Sequence, residues 1–173
     1  MMEMQREPRS AFIVDLGQIE KLSHQMTEEN RAFATFLKTQ NSAEIDDVVA
    51  ELSQSVSRQI DCKKCGNCCR SLTVSPDYQD ISNLAAALEL ETLEFKRKYM
   101  KRDEEGDMVF KQRPCPLLKD GLCSAYDSRP KTCRTYPHLE KNNVIARLGN
   151  VLGNLKVCPI AFNTFELLKL RFT

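Results

Sequence analysis

The sequence predicts a mainly α-helical protein with little strand, in which a loop-rich region is stapled by cysteine-bound metal. Apolar residues recur at three- and four-residue steps through the first 60 residues, which is the spacing of an amphipathic helix. All eight cysteines follow residue 61, and residues 113–137 combine several of them with proline and glycine, which predicts loops. We therefore divide the chain into a helical extension, residues 1–60, and a cysteine-cluster metal-binding domain, residues 61–173.

The N-terminal extension is expected to form a helical hairpin. Its first apolar stripe consists of Leu16, Ile19, Leu22, Met26, Phe33, Phe36 and Leu37. Asn41 followed by Glu44 predicts a capping box at the start of the second helix. The second stripe consists of Ile45, Val48, Val49, Leu52, Val56 and Ile60. Such stripes are core more often than interface, and the alternative is a surface for a homodimer or another protein partner.

Local signals place further elements in the second part of the chain. A serine or threonine before an apolar periodic run favours the start of a helix, and proline is well suited to the first helical position. A charged turn at residues 103–107 precedes a short run with strand character. The predicted elements are a helix with Ser75 as its N-cap before Pro76, a second helix capped by Thr92, a strand at residues 108–110 and a last helix opened by Pro159.

Composition and charge exclude several classes of function. The formal net charge of +1 gives no reason to expect nucleic acid as a partner. It is uneven, since residues 1–60 carry a net charge of −4 (6 basic, 10 acidic) and residues 61–173 one of +5 (19 basic, 14 acidic). No stretch approaches the roughly 18 consecutive apolar residues of a membrane span, and the N-terminus lacks the apolar stretch of a secretory signal. We therefore expect a cytoplasmic protein that does not enter a membrane.

A reducing compartment changes the interpretation of the eight cysteines. Stable disulfides are uncommon there, and eight cysteines in 173 residues fall below the roughly 8–10% that is typical of short disulfide scaffolds. Metal ligation is the better explanation, and a disulfide framework is the alternative. The predicted ligands are Cys62, Cys65, Cys68, Cys69, Cys115, Cys123, Cys133 and Cys158.

The spacing of the first cysteines is typical of metal knuckles. Two cysteines separated by two residues can turn their sulfurs toward one ion, and Gly66 tolerates the positive φ that such a turn requires. The run Cys62-x2-Cys65-x2-Cys68 matches the first three ligands of bacterial iron–sulfur loops, whose remote fourth cysteine precedes proline, as Cys115 and Cys158 do. A four-cysteine zinc site is the competing interpretation. The cofactor is thus an iron–sulfur cluster or Zn²⁺, in one or two sites.

The adjacent cysteines Cys68 and Cys69 limit how the ligands are shared. In an extended chain neighbouring side chains point to opposite faces, so the two thiols are expected to serve two neighbouring centres or two ions of one cluster. Basic residues flank the cysteines and could offset the negative charge of a thiolate site. They are Lys63, Lys64, Arg70, Arg113, Lys119, Arg129, Lys131 and Arg134.

The two histidines and the remaining motifs add little. His24 lies in the helical extension, where a surface or packing role is expected. His138 follows Tyr136-Pro137 near Cys133 and is a ligand or proton-donor candidate, although a lone histidine is more often structural. The sequence contains no Walker loop, HExxH or GxSxG signature.

The ordered cysteine motifs resemble one known family. From about residue 61 to 165 the chain is similar to the CxxCxxCC (YkgJ-type) cysteine-cluster proteins, which are described as zinc- or iron-chelating domains. The motifs that carry this resemblance are Cys62-x2-Cys65-x2-Cys68-Cys69, Asp80-Ile81 with Leu84-Ala85, Cys115-Pro116-Leu117-Leu118, Gly121-Leu122-Cys123, Tyr126, Arg129-Pro130, Cys133-Arg134, Tyr136-Pro137 and Cys158-Pro159.

The resemblance and the cysteines together lead to three hypotheses about function. The first is a metal-binding protein with a cysteine-ligated iron–sulfur or zinc site and a redox role. The second is an enzyme, either an oxidoreductase or a protein lysine methylase that uses S-adenosylmethionine, because the resemblance includes flagellin lysine methylases. The sequence lacks the glycine-rich loop of ordinary methyltransferases and the C-x3-C-x2-C spacing of radical enzymes. The third is a zinc-stabilised module that binds a protein through its N-terminal helices.

Overall fold

The computed structural model describes residues 12–172, and over this range the protein is mainly helical with little strand, as the sequence predicts. The helices are α1 Leu16–Gln25, α2 Thr27–Leu37, α3 Ser42–Ser57, α4 Cys62–Cys65, α5 Asn67–Ser71, α6 Tyr78–Ala87, α7 Thr92–Tyr99, α8 Lys131–Arg134, α9 Leu148–Leu155 and α10 Pro159–Phe172. Two antiparallel pairs are formed by β1 Met100–Arg102 with β2 Met108–Phe110 and by β3 Leu118–Lys119 with β4 Leu122–Cys123. Single 3-10 turns lie at Tyr126–Ser128 and Ile145–Arg147.

The described residues form two compact units. The helical unit contains residues 12–60 together with 142–172, and the cysteine unit contains residues 61–141. A unit that is compact in the folded protein is not by that alone a domain that folds independently. The division of the chain into domains 1–60 and 61–173 therefore stays a prediction.

The core of the helical unit forms between α10 and the helices that precede the cysteines. Helix α10 packs against α3, α1 and α9. Most of the two predicted apolar stripes are buried in this unit, with Ile19, Leu37, Ile45 and Val56 fully inaccessible to solvent. The stripe thus serves as core, while a homodimer or partner surface on these helices stays a prediction.

The prediction of one continuous first helix in the hairpin is wrong, because the helix is interrupted at Met26. Met26 has φ −96° and ψ 13°, and it separates α1 from α2. The hydroxyl of Thr27 donates hydrogen bonds to the carbonyls of Ser23 (3.1 Å) and His24 (2.8 Å). A threonine hydroxyl that bonds to the preceding turn competes with the helical ladder, and periodicity alone does not reveal this.

The predicted capping box of the second hairpin helix is confirmed only in its Asn41 half. Asn41 is the N-cap of α3, and its side-chain oxygen accepts hydrogen bonds from the backbone N–H groups of Ala43 and Glu44. At the other end of the chain, Pro159 is the first residue of α10, as predicted. Proline suits that position because the first N–H groups of a helix have no partner within it.

The cysteine unit has its own small core. Helix α6 packs against α7, and α7 runs directly into β1. The core cluster includes the buried residues Leu84, Phe95, Phe110 and Leu117. The predicted strand at residues 108–110 is confirmed as β2, with Met100 opposite Phe110 in the register.

Two predicted helix starts in the cysteine unit are wrong by a residue or more. Helix α6 is capped by Asp77, not Ser75, because Asp77 and Asp80 form a reciprocal capping box. The Ser75 hydroxyl instead donates to the Met108 carbonyl. In α7 the N-cap is Glu91, and Thr92 is the first helical residue. An aspartate two positions later offered the stronger cap signal, since carboxylates also favour the positive end of the helix dipole.

Candidate metal centre

The first four cysteines lie on two single helical turns that meet at a glycine. Helix α4 contains Cys62 and Cys65, and α5 contains Cys68 and Cys69. Gly66 joins the turns with φ 56°, in the left-handed region that glycine adopts at little cost. The predicted positive φ at this position is therefore confirmed.

A β-hairpin with a two-residue turn places Cys123 near the α4–α5 turn. Asp120 (φ 50°) and Gly121 (φ 82°) both have positive φ, as the tight turn between antiparallel strands requires. The carbonyl oxygen of Gly121 lies close to Gly66, since a β-carbon placed on Gly66 would be 3.2 Å from it. Two glycine-containing turns thus approach each other at a spot where no larger residue fits without a shift.

Cys115 is bound to the same neighbourhood by backbone hydrogen bonds. Its N–H donates to the carbonyl of Cys69 at 2.8 Å. Burial raises the pKa of the Cys115 thiol, while the backbone of Leu117 and Leu118 acts to lower it. Burial also raises the pKa of Cys123, and the backbone of Ala125 acts in the opposite direction.

Cys133 is positioned by a buried carboxylate that sequence reasoning did not single out as a site residue. Asp80, only 6% exposed, accepts a hydrogen bond from the N–H of Lys131, the first residue of α8. The N–H of Cys133 donates to the Pro130 carbonyl at 2.9 Å and so completes the turn. The available signal was the Asp77-x2-Asp80 spacing, which predicts the cap but not the contact with α8.

Four thiols, Cys69, Cys115, Cys123 and Cys133, influence one another electrostatically and form what we call the inner group. Burial raises the pKa of Cys115 to about 11 and that of Cys133 to about 12, and the charge of Cys69 adds to both shifts. Burial raises the pKa of Cys123 as well, again with a contribution from Cys69. Cys115 and Cys123 also pack against the core of the unit.

Cys69 is the one member of the inner group that is poised to ionise. A hydrogen bond from the Cys68 side chain lowers its pKa to about 6, against the effect of burial and with help from Arg70 and Arg129. A thiolate is the form of cysteine that binds metal. The inner group therefore combines one thiolate near neutral pH with three thiols that would release protons to an incoming ion.

The other thiols of the cysteine unit, which we call the outer group, are Cys62, Cys65 and Cys68. Cys62 is exposed, and its pKa is raised by partial burial and by the charges of Cys65 and Asp61. Charges on Cys62 and Cys68 also contribute to the raised pKa of Tyr126, whose first cause is burial. The sequence did not assign thiols to sites, and a hydrogen bond from the Cys68 side chain to Cys69 joins the two groups.

Among the flanking basic residues, Arg129 has the widest reach. Its guanidinium lies 3.8 Å from the centre of the Tyr126 ring, and Lys63 Nζ lies 4.7 Å from the same point. The positive charge of Arg129 lowers the pKa of thiols in both groups, with Cys62 and Cys69 as examples. Lowering the pKa of nearby thiols is the role predicted for basic residues beside a thiolate site. Arg129 is the basic residue best positioned for it.

The remaining predicted site residues lie as follows. Cys158 belongs to the helical unit, where it is buried directly before α10 and its N–H donates to the Asn154 carbonyl. It stays a predicted ligand. His24 is exposed, and His138 lies with its Nδ1 2.9 Å from the Thr135 hydroxyl and its ring edge-on to Tyr136. This arrangement agrees with a structural role for His138.

The number and chemical type of these thiols suit a thiophilic metal. Their arrangement in the described residues does not. Within residues 12–172, no group of three or more His, Cys, Asp or Glu side chains is arranged to hold an ion. Sulfur donors of this number suit zinc or iron.

The fold and these thiols define a mainly helical protein built around a cysteine cluster. The family model "CxxCxxCC: Putative zinc- or iron-chelating domain" matches residues 61–150. This is just over half of the chain, and the protein belongs to the CxxCxxCC family. No curated protein and no solved structure matches the chain. Over the described range, no helix has both the length and the apolar character needed to cross a membrane.

Proposed function

We propose that this protein chelates zinc or iron through a four-thiolate centre formed by the inner group, Cys69, Cys115, Cys123 and Cys133. The observation that carries the proposal is that separate cysteine-bearing segments converge: the Cys115 N–H donates to the Cys69 carbonyl at 2.8 Å, and Cys115 and Cys123 pack against the same core. The family match to a chelating domain supports the same conclusion.

The charges around the inner group suit a negatively charged centre. A divalent ion with four thiolates carries a net charge of −2, and Arg70 and Arg129 lie near enough to lower the pKa of Cys69. The bound ion would link Cys69 to loops more than 40 residues further along the chain. A ligand that joins distant loops stabilises the folded state, because the unfolded chain does not bind it equally well.

We place this function in a reducing compartment such as the cytoplasm. The predicted redox role depends on which metal is bound, since zinc has no redox chemistry and an iron–sulfur cluster does. The eighth predicted ligand, Cys158, lies buried in the helical unit.

Anaerobic purification followed by metal and sulfide analysis tests the proposal. We expect at least one equivalent of zinc or iron per chain. Iron together with acid-labile sulfide and visible absorption identifies a cluster, whereas colourless protein with zinc identifies a mononuclear site. Protein that contains neither metal, and that takes up neither under reducing conditions, contradicts the proposal.

A pair of neighbouring variants makes the test specific to the thiols. Cys133→Ser should lose the metal of the inner group, because it removes one of four donors. Thr132→Ala is the matched control, since Thr132 is exposed on the same short helix. Equal metal content in both variants would remove Cys133 from the proposed ligands.

A further inference from the structure

The outer face of α6 carries no charge. Asp80 is the only acidic or basic residue of this helix, and it is buried. The carboxylate of Asp77, which precedes the helix, accepts from the Asp80 N–H at 2.7 Å as its cap. A solvated helix normally carries charged side chains on its outer face, and 28% of this chain is charged. With Ala86 and Ala87 exposed, the face has the charge-depleted composition of an interface core.

Large apolar side chains are exposed at both ends of the α6–α7 pair. The two helices pack antiparallel, because Lys96 Nζ near the end of α7 lies 5.1 Å from the centre of the Tyr78 ring at the start of α6. Tyr78 is 72% exposed at that end. Leu93 lies at the opposite end, beside the turn that joins the helices, and is 59% exposed. Each end thus offers one apolar side chain to a partner.

The same two ends carry opposite charges. The end of the pair at the start of α6 carries Lys96 and Arg97, and we call it the basic end. The turn that joins the helices carries Glu89 and Glu91, and we call it the acidic end. None of these four side chains forms an ion pair with another of residues 12–172. The charges are therefore available to a partner.

Glu89 is the charge that its own helix favours least. It has φ 56°, a conformation that is easy for glycine and costly for a residue with a side chain. It also follows the C-terminal end of α6, where the helix dipole disfavours a negative charge. The acidic start and basic end of α7 suit the dipole of that helix. Glu89, in contrast, gains from a cation that no other residue in the described range supplies as an ion pair.

We propose that the α6–α7 face binds the same face of a second copy of this chain, with the two copies related by a two-fold axis and their helices antiparallel. In this arrangement the acidic end of each copy lies against the basic end of the other, so both charge contacts are attractive. Tyr78 of one copy then meets Leu93 of the other. The surface belongs to the cysteine unit and differs from the homodimer surface that the sequence predicts on the N-terminal helices.

The oligomeric state of the full chain is the first test. Gel filtration with light scattering is run under reducing conditions, which prevent intermolecular disulfides between the free cysteines. We expect twice the mass of one chain, with dissociation into monomers on dilution. A chain that stays monomeric up to roughly 1 mM overturns the inference, since the free energy of so weak a contact is small.

Two charge-reversed chains test the antiparallel arrangement. Lys96→Glu with Arg97→Glu makes both ends acidic, and Glu89→Lys with Glu91→Lys makes both ends basic. Each chain alone should dimerise at least roughly a hundredfold more weakly, because like charges then meet across the axis. An equimolar mixture of the two should form a heterodimer with nearly the wild-type dissociation constant. Unchanged dimerisation of either variant alone, or a mixture that stays monomeric, overturns the inference.

Glu104→Lys with Glu105→Lys is the matched control, because it makes the same change of charge on the exposed turn between β1 and β2. It should keep the wild-type dissociation constant, and equal weakening there would mean that net charge, not this face, controls association. Leu93→Ala replaces the reversed chains if circular dichroism shows that they do not fold. It should weaken the dimer at least roughly fivefold through lost apolar contact. An unchanged dissociation constant in Leu93→Ala overturns the inference.

Discussion

Cys68 and Cys69 are adjacent thiols that are held by different partners. The backbone of Cys69 is tied to Cys115, while the Cys68 side chain donates a hydrogen bond to the Cys69 sulfur. The sequence predicts that the adjacent thiols serve two centres, and that stays a prediction.

Gly66 is constrained both by its positive φ and by the close approach of the turn at Gly121. Replacing it with alanine places a residue with a β-carbon at φ 56°, 3.2 Å from the Gly121 carbonyl oxygen. We expect Gly66→Ala to lower the free energy of unfolding by about 1–3 kcal/mol. The measurement is urea unfolding of the metal-loaded protein, together with its metal content.

Gly106→Ala is the control for Gly66→Ala. Gly106 has φ 90°, but a β-carbon there would meet nothing within 4 Å. It therefore carries the conformational cost without the crowding, and it should keep its metal. If both variants lose the same stability and the same metal, the contact between the two turns does not matter.

Asp80 is expected to act on the site through the backbone. Its carboxylate accepts hydrogen bonds from the N–H groups of Asp77 and Lys131. Asp80→Ala leaves both without a partner and should cost about 1.5–3 kcal/mol of unfolding free energy, as expected for bonds to a charged group. The α8 turn should also loosen, so we expect weaker metal binding in a competition titration with a chelator.

Gln79→Ala provides the comparison on the same helix, because Gln79 is exposed and bonds only to the neighbouring Asn83 side chain. It should change stability by less than about 0.5 kcal/mol. Normal metal affinity in Asp80→Ala would show that Asp80 stabilises α6 without positioning Cys133.

At the scale of elements, α3 and α10 form the main contact of the helical unit. Ile45 of α3 is fully buried, and truncating its side chain leaves a cavity in the core of the helical unit. We expect Ile45→Ala to lower the free energy of unfolding by about 2–5 kcal/mol, measured by thermal or urea denaturation.

Leu170→Ala is the matched apolar control on α10, since Leu170 is 51% exposed. Its expected effect is within about 0.5 kcal/mol. A loss similar to that of Ile45→Ala would mean that Leu170 is covered in solution, as it would be in a homodimer.

The boundaries of these elements show which helix ends can be predicted from sequence and which cannot. The caps at Asn41 and Pro159 were predictable because a cap depends on residues a few positions away. The break at Met26 was missed, because the apolar stripe continues across it. The α6 start was misplaced since Ser75 bonds to Met108, a partner 33 positions away. Long-range partners of this kind leave no local pattern.

At the scale of the whole molecule, the metal is expected to stabilise one unit selectively. Removing it with a chelator under reducing conditions should leave the inner thiols unlinked. Hydrogen exchange should then become faster at residues 62–71 and 115–134, while α3 and α10 keep their protection. Mass spectrometry of peptic fragments measures both regions in one experiment.

The metal-free protein provides the baseline, and readdition of Zn²⁺ should restore the original protection. Equal acceleration in α3 and α10 would show that the metal controls the fold of the complete chain. Unchanged exchange at residues 62–71 and 115–134 would contradict the proposed role of the inner group.

The sequence by itself determined the helical class, the family and the cysteines as the centre of the chemistry. These conclusions rest on periodicity, spacing and order along the chain, which are local properties. Only the tertiary structure decided that the Cys115 N–H bonds to the Cys69 carbonyl, and that Asp80 supports the α8 turn. Such groupings depend on hydrogen bonds and charges between segments distant in sequence, and those exist only once the chain has folded.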